Sequence, residues 1–379
     1  MDFVLNEIQN ETKKMVRAFA EAEIKPLAKE LDAEARYPYE TMEKIADMGL
    51  MGMTFPEQYG GGDMDHISYA IAIEELSRVD GSHGVIVQTH CALCCWPILE
   101  YGTEEQRQKY LPDLLSGKKL GAFGLTEPNA GTDAAGIQTI AEDKSDHWLI
   151  NGSKIFISGG GIAETYVIFA MTDKSQGTKG ISAFILEKGM PGFTFGKKED
   201  KMGIRASCAT ELIFEDVKLP KENLLGQIGK GFKVAMTSLD FGRIGIAAQA
   251  LGIAQGAYEE AVNYMKQRKQ FNKPISAFQA PAFDMADMRT RIDCARLLVY
   301  RAADCRDKGL SSSVAAAQAK LFASETAMYV TTKAVQFHGG YGYCKDYPVE
   351  RMMRDAKITE IYEGTSEVMR MIISGDIFR

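Results

Sequence analysis

Hydrophobic residues recur every three or four positions along the first part of the chain. Val4, Ile8, Met15 and Phe19 fall on one helical face, and Glu40 to Met53 and Ile67 to Arg78 repeat the pattern. Tyr59-Gly60-Gly61-Gly62-Asp63 reads as a turn, and Gly102-Thr103-Glu104-Glu105-Gln106 as a helix start. These spacings predict a helical domain over residues 1–120. The period then shortens. From 121 to 230, β-branched and aromatic runs alternate with turn residues. Trp148-Leu149-Ile150 and Ile155-Phe156-Ile157 flank Asn151-Gly152, a pattern that predicts a β-hairpin. Thr165 to Met171, Ile181 to Leu186 and Thr210 to Phe214 complete a small antiparallel β domain. Helical spacing returns over 231–379. Met285, Met288, Ile292, Ala295, Val299 and Ala302 form one stripe, and Val314, Ala317, Leu321 and Met328 another. Long helices with narrow, small-residue stripes predict a four-helix bundle.

Composition narrows the class. The chain has 379 residues, 45% hydrophobic and 25% charged, which describes a globular protein with room for two or three domains. A formal charge of −7 without a basic block argues against binding nucleic acid or an anionic membrane. Met1-Asp2-Phe3 lacks a basic leader, and no long uncharged apolar run follows, so the expected location is the cytoplasm. Seven cysteines make no disulfide framework. Cys91, Cys94 and Cys95 cluster, but His90 alone does not complete a metal site, and a buried helix is the expectation there.

Candidate chemistry gathers in a few short stretches. Near the C-terminus, Ile361-Tyr362-Glu363-Gly364-Thr365-Ser366-Glu367 interrupts two helical patterns. Gly364 frees the backbone, and Thr365 or Ser366 is a natural N-cap for the next helix. Glu363 is thereby placed on a loop beside a helix N-terminus, whose free N–H groups suit an anion. From spacing alone, a solvated surface loop fits equally well. Phe123-Gly124-Leu125-Thr126-Glu127-Pro128-Asn129-Ala130-Gly131-Thr132-Asp133 offers hydroxyl and amide donors able to grip a ring edge or a phosphate. Gly226-Gln227-Ile228-Gly229-Lys230-Gly231 is not a dinucleotide fingerprint, because no strand–turn–helix frames it. Asp240-Phe241-Gly242 lacks the companion motifs of a kinase.

Taken together, these stretches resemble the flavin-dependent acyl-CoA dehydrogenases, and the resemblance runs from the first helix to Arg379. It implies a mainly α fold with a central β domain: an N-terminal helical domain, a middle antiparallel β-barrel over 121–230 and a C-terminal four-helix bundle. It implies FAD as cofactor and Glu363 as the base that removes the α-proton of a thioester while the β-hydrogen leaves as hydride to flavin N5. The thioester carbonyl would be bonded by the Glu363 backbone N–H and the flavin ribityl 2′-hydroxyl. Enclosure in an apolar pocket should raise the proton affinity of Glu363 toward working pH.

The same resemblance assigns the cofactor side. Phe123, Leu125, Thr126, Gly131 and Thr132 would form the flavin loop, with Thr132 standing where relatives usually carry Ser and shared with substrate. Phe156, Ile157 and Ser158 would lie against the flavin, in place of the Trp-Ile-Thr of many relatives. Thr365, Ser366 and Glu367 would contribute from the helix start. Arg268, Phe271, Gln279, Gln336, Phe337, Gly339 and Gly340 would reach the FAD of a neighbouring subunit, implying a tetramer built as a dimer of dimers. Asp240, Phe241, Arg243, Tyr362 and Gly364 fall on the substrate side. Electron-transferring flavoprotein is the implied redox partner, since no second redox motif is present.

The branch most resembled is the short-chain, butyryl-CoA type of anaerobic bacteria, which also runs as an enoyl-CoA reductase. Phe241, His90 and the Cys91–Cys95 cluster depart from that branch. An arylacrylyl-CoA substrate of cinnamoyl or caffeyl type is the sibling alternative, and a catalytically silent flavin-binding scaffold is the alternative from another class. A monooxygenase on the same fold typically lacks the Glu.

Overall fold

The computed structural model describes residues 4–378; Met1-Asp2-Phe3 and Arg379 lie outside the described residues. The N-terminal part carries helices α1 (Glu7–Phe19), α2 (Ala28–Glu34), α3 (Tyr39–Asp47), α4 (His66–Val79), α5 (Gly81–Gln88), α6 (Trp96–Tyr101) and α7 (Glu104–Leu115). Asn6 with Gln9, and Thr103 with Gln106, close reciprocal capping boxes at α1 and α7. Between α5 and α6 the chain winds as a π-helical segment, Thr89–Cys95, in which Cys91, Cys94 and Cys95 are all buried. His90 is a structural pin there. Its Nδ1 accepts from the Gly121 N–H at 2.9 Å, so Nε2 carries the hydrogen and donates to the Leu114 carbonyl at 3.1 Å.

The middle part holds β1 (Gly121–Gly124), β2 (Ile140–Asp143), β3 (His147–Ser158), β4 (Thr165–Met171), β5 (Ile181–Glu187), β6 (Phe193–Lys198), β7 (Ala209–Pro220) and β8 (Leu224–Leu225). Their order is β6-β7-β3-β2-β4-β5-β8, with β1 alongside β4. The path does not close, and both β1 and β2 run parallel to β4, so the expected antiparallel barrel is an open, mixed sheet. The expected hairpin at Asn151-Gly152 is also corrected. β3 continues through both residues, and Gly152 (φ +139°) marks a register shift against β7. A Cβ there would lie 2.7 Å from Thr139 Cα, so the glycine serves close packing rather than a turn.

The C-terminal part carries α8 (Gly231–Gln267), the short hairpin β9 (Lys269–Gln270) and β10 (Lys273–Pro274), then α9 (Gln279–Asp307), α10 (Ser313–His338), α11 (Val349–Ile358) and α12 (Ser366–Ile377). α8, α9 and α10 pack on one another, α11 and α12 pack on α10, and α4 lies along α8. α8 approaches α4 closely: a Cβ at Gly252 would meet the Glu74 carbonyl oxygen at 2.2 Å, and one at Gly256 the Arg78 carbonyl oxygen at 1.9 Å.

Helix faces follow the sequence unevenly. On α9 the buried residues include Met288, Ile292, Ala295, Val299 and Ala302, as the periodicity predicts. On α10 Ala317 is buried as expected, but the buried face otherwise runs through Ala316, Ala319, Ala323, Ala327, Val330 and Ala334, with Val314, Leu321 and Met328 only half-buried. Between α8 and the α11–α12 pair, small side chains let the helices approach. On α1, Val16 is buried with Gln9 and Thr12, whereas Ile8 and Met15 are exposed and Val4, just before the helix, is 77% exposed. Among the described residues no helix is long and apolar enough to cross a membrane.

Candidate active site

The sheet, the α11–α12 loop and the start of α8 enclose a cavity of about 810 Å³. One wall is the segment β1 leads into, with Phe123, Leu125, Thr126, Gly131 and Thr132, together with Phe156, Ile157 and Ser158 at the end of β3. Phe156 is 61% exposed and left-handed (φ 61°), an aromatic ring held beside a cavity by an unfavourable backbone. Behind this wall Lys154 is fully buried. Its Nζ donates to Glu127 Oε1 at 2.7 Å and to the Leu125 carbonyl at 3.2 Å. Glu127 also accepts from the Gln138 and Thr139 N–H groups, and Ile155 N–H bonds the Thr126 carbonyl. Leu125 and Thr126 are thereby tied to β3 from behind.

Glu363 stands on the facing side. The Glu363–Gly364 pair is left-handed (φ 52° and 98°), which turns the chain between α11 and α12. Thr365 then caps α12, its side chain accepting from the Val368 N–H at 3.3 Å. Two buried cations grip this turn from different helices. Arg243 Nε of α8 donates to the Glu363 carbonyl at 3.2 Å, and Lys320 Nζ of α10 donates to the Gly364 carbonyl at 2.6 Å. Arg243 is in turn held by Asp240 at 2.7 Å, and the Ser313 hydroxyl donates to the same Asp240 oxygen.

The Glu363 side chain lies over Gly242 of α8, where a Cβ would sit 2.1 Å from Oε2. Oε1 accepts from Gln88 Nε2 at 2.9 Å, while Oε2 is buried without a hydrogen-bond partner. Burial pushes this carboxyl up to about 7, against the Gln88 hydrogen bond and the positive charges of Arg243 and Lys320. Burial likewise brings the Lys320 ammonium down to about 8.

Other expected residues divide clearly. Tyr362, Gly364 and Thr365 line the cavity with Glu363 and Arg243. Tyr362 donates to Gln249, whose amide reaches the Gly81 carbonyl at 2.8 Å. Phe241 does not reach the wall. It is 0% exposed, its ring 5.2 Å from that of His66 and 5.3 Å from that of Tyr69, with the Arg306 guanidinium 4.0 Å over its face. Asp240 sits behind Arg243 and touches the site only through it. Ser366 and Glu367 also stand off the wall, Ser366 buried in the first turn of α12 and Glu367 exposed.

A second group is remote from this cavity. Arg268 follows the C-terminus of α8, 25 residues beyond Arg243, or about 37 Å along the helix. Its guanidinium lies 5.6 Å over the Tyr341 ring, beside Gly339 and Gly340, which are exposed. Phe271 is 87% exposed, and Gln279 and Gln336 are exposed, with Phe337 half-buried.

Some cavity residues carried no signal in the sequence. Met202, Gly203 and Ile204 form an edge held by α11: the Ile204 N–H bonds Asp355 Oδ1 at 2.5 Å, and Arg354 donates to the Met202 carbonyl. Gln88 and Lys320 were equally silent.

A cavity with an aromatic wall on one side and an unpartnered buried carboxylate oxygen on the other fits a flat redox ring and a proton-bearing thioester between them. Comparison with known proteins agrees. Family models described as the N-terminal, middle and C-terminal domains of acyl-CoA dehydrogenase match residues 6–118, 122–217 and 229–378. The "Acyl-CoA dehydrogenase, short-chain specific" of Clostridium acetobutylicum is 60% identical over 100% of both chains. The caffeyl-CoA reductase–Etf complex subunit CarC of Acetobacterium woodii is 47% identical over 97% of each chain. The structure of butyryl-CoA dehydrogenase from Megasphaera elsdenii superposes with a TM-score of 0.98 at 54% identity, covering 100% of both chains. The chain belongs to the acyl-CoA dehydrogenase family.

Proposed function

We propose that this protein interconverts a short-chain acyl-CoA of the butyryl type and its 2-enoyl-CoA, with FAD as cofactor and Glu363 moving the α-proton. The observation that carries this reading is the Glu363 carboxylate, buried, unpartnered at Oε2 and raised to about 7 at the lip of the cavity. Full-length identity of 60% to a short-chain specific enzyme supports that substrate class.

Bound FAD supplies the hydride acceptor. Phe123, Leu125, Thr126, Gly131, Thr132, Phe156, Ile157 and Ser158 of this chain hold its ring, since they make the wall facing Glu363. Arg268, Phe271, Gln279, Gln336, Phe337, Gly339 and Gly340 act on the cofactor of a neighbouring copy in a dimer-of-dimers tetramer. Their distance from the cavity and exposure support that assignment. Arg243 and Lys320 keep the Glu363 peptide in its left-handed turn, and the apolar wall excludes water. In the oxidative direction the ionised carboxylate takes the α-proton to Oε2; in the reductive direction the protonated carboxyl returns it.

Electron-transferring flavoprotein is the redox partner, as the name of the Acetobacterium relative states for that protein. The same reading takes 1–120, 121–230 and 231–379 as the three domains and places the protein in the cytoplasm, where seven unpaired cysteines are at home. An arylacrylyl-CoA ester is the second reading, favoured by the 47% identity to the caffeyl-CoA subunit.

The test is anaerobic titration of the flavin-loaded protein with butyryl-CoA, crotonyl-CoA and an arylacrylyl-CoA. Butyryl-CoA should bleach the flavin, and crotonyl-CoA should reoxidise it faster than the aryl ester does. Only a protein whose flavin is neither bleached by butyryl-CoA nor, once chemically reduced, reoxidised by crotonyl-CoA or the arylacrylyl-CoA would leave the scaffold reading alone. Glu363→Gln should retain FAD and ester binding and lose nearly all turnover; near-normal turnover would overturn the base assignment.

A further inference from the structure

Gln88 closes α5 and is 0% exposed. Both polar atoms of its amide are engaged. Nε2 donates to Glu363 Oε1 at 2.9 Å and to the Gly242 carbonyl at 3.1 Å, and Oε1 accepts from the Thr89 hydroxyl at 3.2 Å. The orientation is dictated, because a backbone carbonyl only accepts and so must face the amino end of the amide. Space for the side chain is also built in. A Cβ at Gly245 would sit 2.3 Å from Gln88 Cγ, just as one at Gly242 would sit 2.1 Å from Glu363 Oε2. Three residues apart on α8, one glycine receives the carboxylate and the other receives the amide bonded to it.

We propose that Gln88 is a positioning residue for Glu363, seating the carboxylate over Gly242 and leaving Oε2 as the oxygen that exchanges the substrate's proton. The assignment rests on Glu363 as the base. The ionisable groups facing Glu363 are Arg243 from α8, Lys320 from α10, Tyr69 from α4 and Tyr362 on its own loop. Lys320 bonds the Gly364 carbonyl, and Arg243 divides its hydrogen bonds between the Glu363 carbonyl and Asp240. Among the described residues Gln88 is the one side chain that bonds the carboxylate itself. A neutral donor there favours the ionised form without adding charge.

Replacing Gln88 by Leu removes the donor at nearly constant volume. The proton affinity of Glu363 should rise by about one pH unit, the worth of one charge-assisted hydrogen bond. Oxidative turnover at pH 7 should then fall about five-fold, with its acidic limb displaced upward by the same unit and KM little changed. Isotope-edited infrared titration of the Glu363 carboxyl in flavin-free protein, using Glu363→Gln as the blank, reads the same shift without turnover. Thr89→Val loosens the amide and should shift the midpoint less, in the same direction; Gln88→Asn withdraws the donor and serves if Gln88→Leu does not fold. An unmoved infrared midpoint in a folded Gln88 variant overturns the proposal. Loss of the base assignment would show separately, as turnover surviving in Glu363→Gln.

Discussion

At the scale of single residues, the proposed chemistry turns on a carboxyl that burial pushes up to about 7. With Glu363 at about 7, oxidation of a saturated ester needs the ionised form and should rise with pH through that value. Reduction of the enoyl ester needs the protonated form and should fall through the same range. Opposite limbs in the two directions, measured as kcat against pH with one protein preparation, check this; parallel limbs would assign the titration to another group. Gly242 provides a second handle. Alanine there would place a methyl 2.1 Å from Oε2, so the carboxylate must move by about an ångström, and turnover should fall about 10²-fold with the fold intact. Steady-state rates beside a circular-dichroism melt separate the two effects. The loop identity of Glu363 was legible because Gly364 and Thr365 act within a few residues of it. Its partners were not: Gln88 lies 275 positions away, and Lys320, 44 positions before the Gly364 whose carbonyl it bonds, reads in sequence as an ordinary solvated lysine.

Elements show the same divide between local and distant causes. The helix start at Thr103 and the α9 stripe depend on neighbours three or four positions apart, so local spacing finds them. The buried face of α10 is chosen by α8, α9, α11 and α12, and there alanines rather than the larger Leu321 and Met328 win the interface. Asn151-Gly152 misled for a related reason, since the glycine answers to Thr139 across the sheet. On α8, Gly256 stands 1.9 Å, measured from a built Cβ, from the Arg78 carbonyl oxygen of α4. Gly256→Ala gains about 1 kcal/mol of helix propensity yet overpacks a backbone contact costing about 1–3 kcal/mol. Because the obstacle is main chain, which cannot swing aside, net destabilisation is expected, read as a lower urea midpoint.

Across the whole molecule, stability and assembly are separable. Lys154 and Glu127 form a buried pair that joins the segment after β1 to β3. Lys154→Met strands a buried carboxylate and should cost about 3–5 kcal/mol, lowering the thermal midpoint even before flavin is added. Phe271 is the contrary case. Exposed in the isolated chain, it should tolerate alanine without loss of fold; if it grips a neighbouring copy's cofactor as proposed, FAD retention should become more dependent on protein concentration. Flavin absorbance after serial dilution and gel filtration measures that.

One clasp has a wider meaning. Asp355 and Arg354 grip the Ile204 and Met202 edge of the β domain, and Glu363 stands in the turn five residues past the end of the same short helix at Ile358. The helix therefore works as a caliper, with one jaw fastened to the loop between β6 and β7 and the other leading into the turn that bears the proposed base. On that proposal, the gap for a thioester is gauged by one helix and its following turn, so a shift of the β domain is passed on to the proton acceptor.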